Sequence, residues 1–126
     1  MKIKIETTKA PLPGNNPHSQ GIVAGDLIFT QGSIYLTPEG KLLEGTTEEQ
    51  IHLIMKNLQG ILEEAGVSFV HVVKTTIYVI DMSLYATVNS VYRSYFSAPY
   101  PAREVVCVKE LPLGAKIEIS MIAARN

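Results

Sequence analysis

Arg103 and Glu118 are the residues whose types and placing could carry a reaction. Arg103 follows Pro101-Ala102 and opens a stretch rich in valine, with one cysteine. Leu111-Pro112-Leu113-Gly114-Ala115 then supplies a turn, and Lys116-Ile117-Glu118-Ile119 alternates again. The pattern reads as a hairpin, with a cation at the start of one strand and an anion on the other. A guanidinium matches a carboxylate bidentately and stays charged when partly desolvated. A partly buried carboxylate can have a raised pKa and move protons near neutral pH. The pair could bind a carboxylate and handle water. The competing readings are structural: an ion pair of Arg103 with Glu118 or a neighbouring subunit, and a Glu118 that is merely solvated.

Other reactive side chains are less telling. Cys107, four residues after Arg103, reads as an inert strand residue rather than a nucleophile. His52 falls on the polar side of a helix and His71 precedes a strand. Neither has a Cys, His or Asp at ligand spacing, so no metal site is expected. No Ser-His-Asp set or phosphate loop is present.

The elements that must position Arg103 and Glu118 read as βββαβαββ. Residues 2–6 alternate as a first strand, and residues 7–19, rich in Pro and Asn, form a structured loop. Ile22 to Thr30 is a hairpin turning at Gly25-Asp26. A second reversal falls at Pro38-Glu39-Gly40, ahead of Lys41-Leu42-Leu43. Thr46 and Glu49 make a capping box for a helix whose apolar stripe runs from Ile51 to Ala65, and Gly66 stands at its C-terminal cap. Residues 72–80 form a strand. Leu84, Val88, Val91, Tyr92, Tyr95 and Phe96 mark a second helix that stops before Pro99. Two further strands close the chain. The class is α+β, one sheet with two helices on one face. Several strands are apolar at both parities, as at Val105 to Val108, so the sheet's other face needs a cover, and in so short a chain that cover is another subunit.

Composition narrows the classes. The 126 residues suit one domain, 1–126, and 46% hydrophobic with 18% charged residues excludes disorder. Net charge is −1 with cations scattered, which gives no nucleic-acid surface. No segment approaches a membrane span, the first residues lack a signal-peptide run, and the single cysteine fits a reducing cytoplasm.

The stretch PYPAREVVCVKELPLGAKIEISMIAA, Pro99 to Ala124, resembles the C-terminal signature of the Rid/YjgF family, the reactive-intermediate deaminases of the endoribonuclease L-PSP superfamily. Four more segments match in order. They are Pro17-His18-Ser19-Gln20; Ala24 to Thr30 followed by Gln31-Gly32; Val73 to Val79 with Asp81-Met82; and Ala86 to Tyr92. The resemblance covers nearly the whole chain. It implies a chorismate-mutase-like, YjgF-like fold assembled as a homotrimer around a central barrel, with clefts between subunits. It also implies that Arg103 binds a substrate carboxylate, that Glu118 holds or activates water, and that Asn89 lies near the site. Three positions depart from the pattern. His18 stands where the family usually has Tyr, Gln31-Gly32 where it has Ser-Gly, and Val105 where many members have Cys. Imidazole can donate a hydrogen bond and offer a flat face, but it titrates near pH ~6.5; a loop histidine without a role is the other reading. The larger Gln31 amide narrows the pocket or adds a hydrogen bond. The contact at Val105 runs largely through the backbone.

The implied function is hydrolysis of reactive 2-imino acids, of the 2-iminobutanoate/2-iminopropanoate type, to 2-oxo acids and ammonia, without metal or organic cofactor. An alternative of another class is a trimeric module that binds small carboxylates or a partner protein without turnover. An RNA-cleaving role, attributed to some relatives, gains nothing from a pI of about 6.3.

Overall fold

Gly25 adopts φ +61, a conformation open to glycine, and with Asp26 it folds β2 (Gly21–Ala24) back on β3 (Leu27–Thr30). β1 (Lys2–Ile5) pairs antiparallel with β2. The computed structural model describes residues 1–126. α1 (Thr47–Glu64) begins at the expected capping box, where Glu49 N–H donates to Thr46 Oγ1 at 3.1 Å and Thr46 N–H to Glu49 Oε1 at 2.8 Å. It ends in a Schellman motif: Gly66 at φ +81 donates to the Glu63 carbonyl and Val67 to that of Leu62. Its stripe of Ile51, Ile54, Met55, Leu58, Ile61 and Leu62 is wholly buried against the sheet. β4 (Val72–Val79), α2 (Tyr85–Arg93), β5 (Ala102–Cys107) and β6 (Ile117–Ala124) follow, completing the βββαβαββ order. α2 stops short of Phe96. Tyr95 and Phe96 instead turn onto Phe69 and Tyr92, with ring centroids 4.6–5.6 Å apart.

The sheet has six strands in the order β1-β2-β3-β6-β4-β5, and only β4 and β5 run parallel. One expectation fails here. β5 and β6 are not a hairpin, because β4 lies between them. Residues 108–116 pass around the end of β4, through a short 3₁₀ turn at Pro112–Gly114, and deliver β6 to its far side. The physical reason is burial. Ile117, Ile119, Met121 and Ala123 of β6 are at most 2% exposed and belong at the sheet's centre, whereas β5, carrying Arg103 and Glu104, suits an edge.

Both faces of the sheet are apolar, as expected. Ile28, Ile77, Val79 and the four β6 residues meet the helices. Ile22, Phe29 and Ile122 form a cross-strand row on the helix-free face, where Leu27, Phe29 and Val106 keep 37–41% of their surface exposed. The long loop before β2 is anchored by one buried side chain. Gln20 accepts from Thr7 N–H at 2.7 Å and donates to the carbonyls of Thr7, Ala10 and Pro11 at 2.9–3.1 Å.

Candidate active site

The backbone of Ser33 bridges Ile119 of β6, with N–H···O distances of 2.8 and 3.0 Å in the two directions. That bridge lays Gln31 and Gly32 beside Glu118. Alternation along β6 buries Ile117 and Ile119 against the helices and turns Glu118 to the opposite face. Its carboxyl group lies over Gly32, where an added Cβ would come within 2.8 Å of the carboxyl carbon. Position 32 therefore accepts only glycine without moving Glu118. The carboxylate accepts no hydrogen bond within the chain and forms no ion pair, and burial alone pushes its pKa above the ordinary carboxylate range. Glu118, Gly32, Gln31 and His18 line one cavity of about 440 Å3, walled also by Leu12 and Leu113.

Arg103 and Asn89 line a different cavity, of about 360 Å3, with Tyr85, Tyr92 and Tyr100. The Arg103 guanidinium carbon stands 5.1 Å from the Tyr92 ring centre and 5.8 Å from that of Tyr85, and Nη2 donates to the Tyr85 hydroxyl at 3.2 Å. Tyr92 is fixed in turn: its hydroxyl donates to Thr75 Oγ1 at 2.9 Å, and Thr75 is the residue beside Arg103 in the β4–β5 register. No carboxylate pairs with Arg103. The adjacent Glu104 points to the other face and pairs with Lys74 at 3.1 Å. This leaves an aimed cation with free donors.

The two groups are not neighbours, which corrects the expectation of a cation beside an anion on one hairpin. Arg103 lies on the helix-bearing face and Glu118 on the other. Their Cα atoms stand three residues along and two strands across, roughly 14 Å on ideal spacings. A structural Arg103–Glu118 ion pair within one chain is thereby ruled out. Val105 lines neither cavity; its side chain packs against the core, while β5, as a sheet edge, leaves one side of its backbone open.

Tyr85 and Thr75 went unremarked in the sequence, and Tyr92 was read there only as part of an apolar stripe. The signal was present: Tyr85, Asn89 and Tyr92 recur at i, i+4 and i+7, one face of a helix. His52 and His71 have local structural roles. His52 Nδ1 lies 2.6 Å from the Tyr95 hydroxyl, and His71 Nδ1 accepts from Ser68 N–H.

The family model described as endoribonuclease L-PSP matches residues 7–125. The chain belongs to this family, the Rid/YjgF proteins. It is 43% identical to a RutC family protein of Aquifex aeolicus, over 97% of this chain and 98% of that one. It is 44% identical to Reactive Intermediate Deaminase A, chloroplastic, of Arabidopsis thaliana, over 94% of this chain and 64% of that protein. Among solved structures, Escherichia coli TdcF with bound serine superposes with a TM-score of 0.91 at 35% identity, covering 98% of this chain and 99% of TdcF. The fold is thus that of the Rid/YjgF family, and no helix is long and apolar enough to cross a membrane.

Proposed function

We propose that this Rid/YjgF chain hydrolyses 2-imino acids, of the 2-iminobutanoate and 2-iminopropanoate type, to 2-oxo acids and ammonia. The site is shared between subunits of a homotrimer. The observation that carries this reading is that Arg103 and Glu118 stand on opposite faces of one sheet, each without an ionic partner in its own chain. A second copy that covers the helix-free apolar face brings the Glu118 cavity of one subunit to the Arg103 cavity of the next. The deaminase name of the Arabidopsis relative supports the chemistry, and the exposed Leu27, Phe29 and Val106 support the assembly.

Arg103 binds the substrate carboxylate through its bidentate fork, held on target by Tyr92 and Tyr85. Asn89 lies beside it. Glu118 of the facing subunit takes a proton from water as the water oxygen bonds to the imine carbon and the C=N electron pair moves to nitrogen. That proton then passes to nitrogen. The carbinolamine's hydroxyl proton then passes to the same nitrogen by way of Glu118 as the C–N bond breaks, so that the oxygen becomes the 2-oxo group and the nitrogen leaves as ammonia. Val105, through the open backbone of β5, and His18 orient the imine nitrogen, while Gln31 and Gly32 shape the wall beside Glu118. Imines already hydrolyse in water, so positioning and general acid–base assistance of about 10²–10⁴-fold suffice, and no cofactor is required. An RNA substrate fits poorly with a net charge of −1 and scattered cations.

The serine bound to TdcF favours a second reading, a module that binds small carboxylates without turnover. One experiment separates the two and tests the shared site. Arg103→Ala and Glu118→Gln chains are each assayed for ammonia release from freshly generated 2-aminoacrylate, then co-refolded and assayed together. The expected result is two inactive variants whose mixture recovers part of the activity, because one chain supplies Arg103 and the other Glu118. Two inactive variants and an inactive mixture would overturn the shared site. A wild-type trimer without turnover would leave the binding module.

A further inference from the structure

Arg93 is the last residue of α2, and the reaction proposed above does not use it. A cation at the C-terminal end of a helix complements the helix dipole, which accounts for its charge but not for its surroundings. Arg93 lines the same cavity as Arg103, together with Asn89, Tyr85, Tyr92 and Tyr100. It follows Asn89 by one helical turn, about 6 Å along the axis, so the two share a face of α2. Neither guanidinium forms an ion pair, and no carboxylate lines the cavity. Two unpaired cations thus open on one space whose other polar walls are phenols and an amide. At about 360 Å3 that space has room for about twelve water-sized groups at about 30 Å3 each, enough for a five-carbon 2-imino diacid.

We propose that Arg93 receives a second carboxylate, at the end of the substrate's side chain, and that the preferred substrates are 2-imino diacids. The inference rests on the imine-hydrolase reading and deepens it by naming the side chain. With the first carboxylate on Arg103, three kinds of side chain can be compared. A methyl group offers Arg93 no acceptor. A longer neutral chain displaces water from the guanidinium without returning an ionic hydrogen bond. A side-chain carboxylate accepts from the planar fork of Arg93, so it alone pairs both cations. The proposed assembly also brings Glu118 of the facing subunit to the imine carbon. A substrate that carries two negative charges past that carboxylate needs the second cation.

Glutarate and pentanoate share a carbon chain and differ in the second carboxylate, so calorimetric binding of the two isolates its contribution. The wild-type protein should bind glutarate roughly tenfold more tightly, a gain limited by solvent screening. Arg93 is exposed, so Arg93→Gln should leave the fold intact while it removes most of that advantage. Equal binding by the wild type, or a glutarate advantage that survives Arg93→Gln, would overturn the proposal. Hydrolysis is read separately, as ammonia release above the buffer rate from 2-imino acids made in situ by oxidation of glutamate and of methionine, whose side chains are similar in length. The kcat/KM ratio of the glutamate-derived to the methionine-derived imine should exceed one in the wild type and fall roughly tenfold in Arg93→Gln. Taking the ratio cancels any general effect of Arg93 on the shared carboxylate or on assembly, so an unchanged ratio would overturn the proposal. A protein that prefers glutarate through Arg93 yet releases no ammonia from either imine would retain the second-carboxylate site and overturn hydrolysis alone.

Discussion

Arg103 and Glu118 are held in opposite ways. The guanidinium is fixed by what touches it: two tyrosine rings, one phenol oxygen, and behind them a buried Tyr92–Thr75 hydrogen bond. Glu118 is defined by what does not touch it, a half-buried carboxylate above a residue without a side chain. The difference suits the two tasks proposed for these residues. A cation that must meet a planar carboxylate gains from a rigid aim, because less freedom is lost on binding. A proton acceptor gains from the opposite, since each hydrogen bond to its charged form would lower its proton affinity.

Four substitutions test this contrast. Arg103→Ala removes the aimed cation and should leave the fold and assembly unchanged, with kcat/KM for the proposed imine hydrolysis reduced on the order of 10²–10³-fold, as read by ammonia release. Retained activity would mean that the cation is not the clamp. Gly32→Ala puts a methyl group against the Glu118 carboxyl and should cost roughly tenfold or more in kcat, with thermal stability little changed. A drop in stability with unaltered kcat would make Gly32 a fold residue instead. Tyr92→Phe keeps the ring but leaves Thr75 Oγ1 buried and unpaired. It should cost about 1 kcal/mol in denaturant unfolding and raise KM more than it lowers kcat. If KM stays constant, the rings do not aim the guanidinium.

The smallest effect concerns pH. A carboxyl whose folded pKa exceeds its unfolded value keeps more protons in the native chain. Stability therefore declines as pH climbs from the unfolded pKa to the folded one. Glu118→Gln abolishes that decline. Measured in an Arg103→Ala background, so that no facing guanidinium offsets it, the Gln variant should be the more stable above the folded pKa. The two chains should match below the ordinary carboxylate range. Solvent screening keeps the gain under about 1 kcal/mol. For the wild type, kcat should fall with acidity at a pH above that of an unperturbed glutamate, and a flat profile would remove Glu118 as the base.

Local signals were legible in the sequence because their partners are near in the chain. The Thr46–Glu49 box, the Gly66 cap and the Gly25-Asp26 turn each depend on residues within a few positions, and each stands where expected. The pairing of β5 and β6 was not legible. A proline-glycine turn between two strands is compatible with a hairpin and with a crossover, and only competition for the buried centre of the sheet decides. Arg103 and Glu118 stood out by residue type and pattern and the other site residues by resemblance, and the structure divides them: His18, Gln31, Gly32 and Glu118 in one cavity, Asn89 and Arg103 in another.

The four hydrogen bonds of Gln20 bear on how fast this protein can act. The segment they secure supplies Pro11, Leu12 and His18 to the cavity wall. A segment held in this way before a ligand arrives lowers the entropy that binding must overcome. Under the imine hydrolysis proposed above, a substrate that also hydrolyses in water would reward quick capture over long residence. For that proposed reaction, a standing wall would serve better than a closing lid.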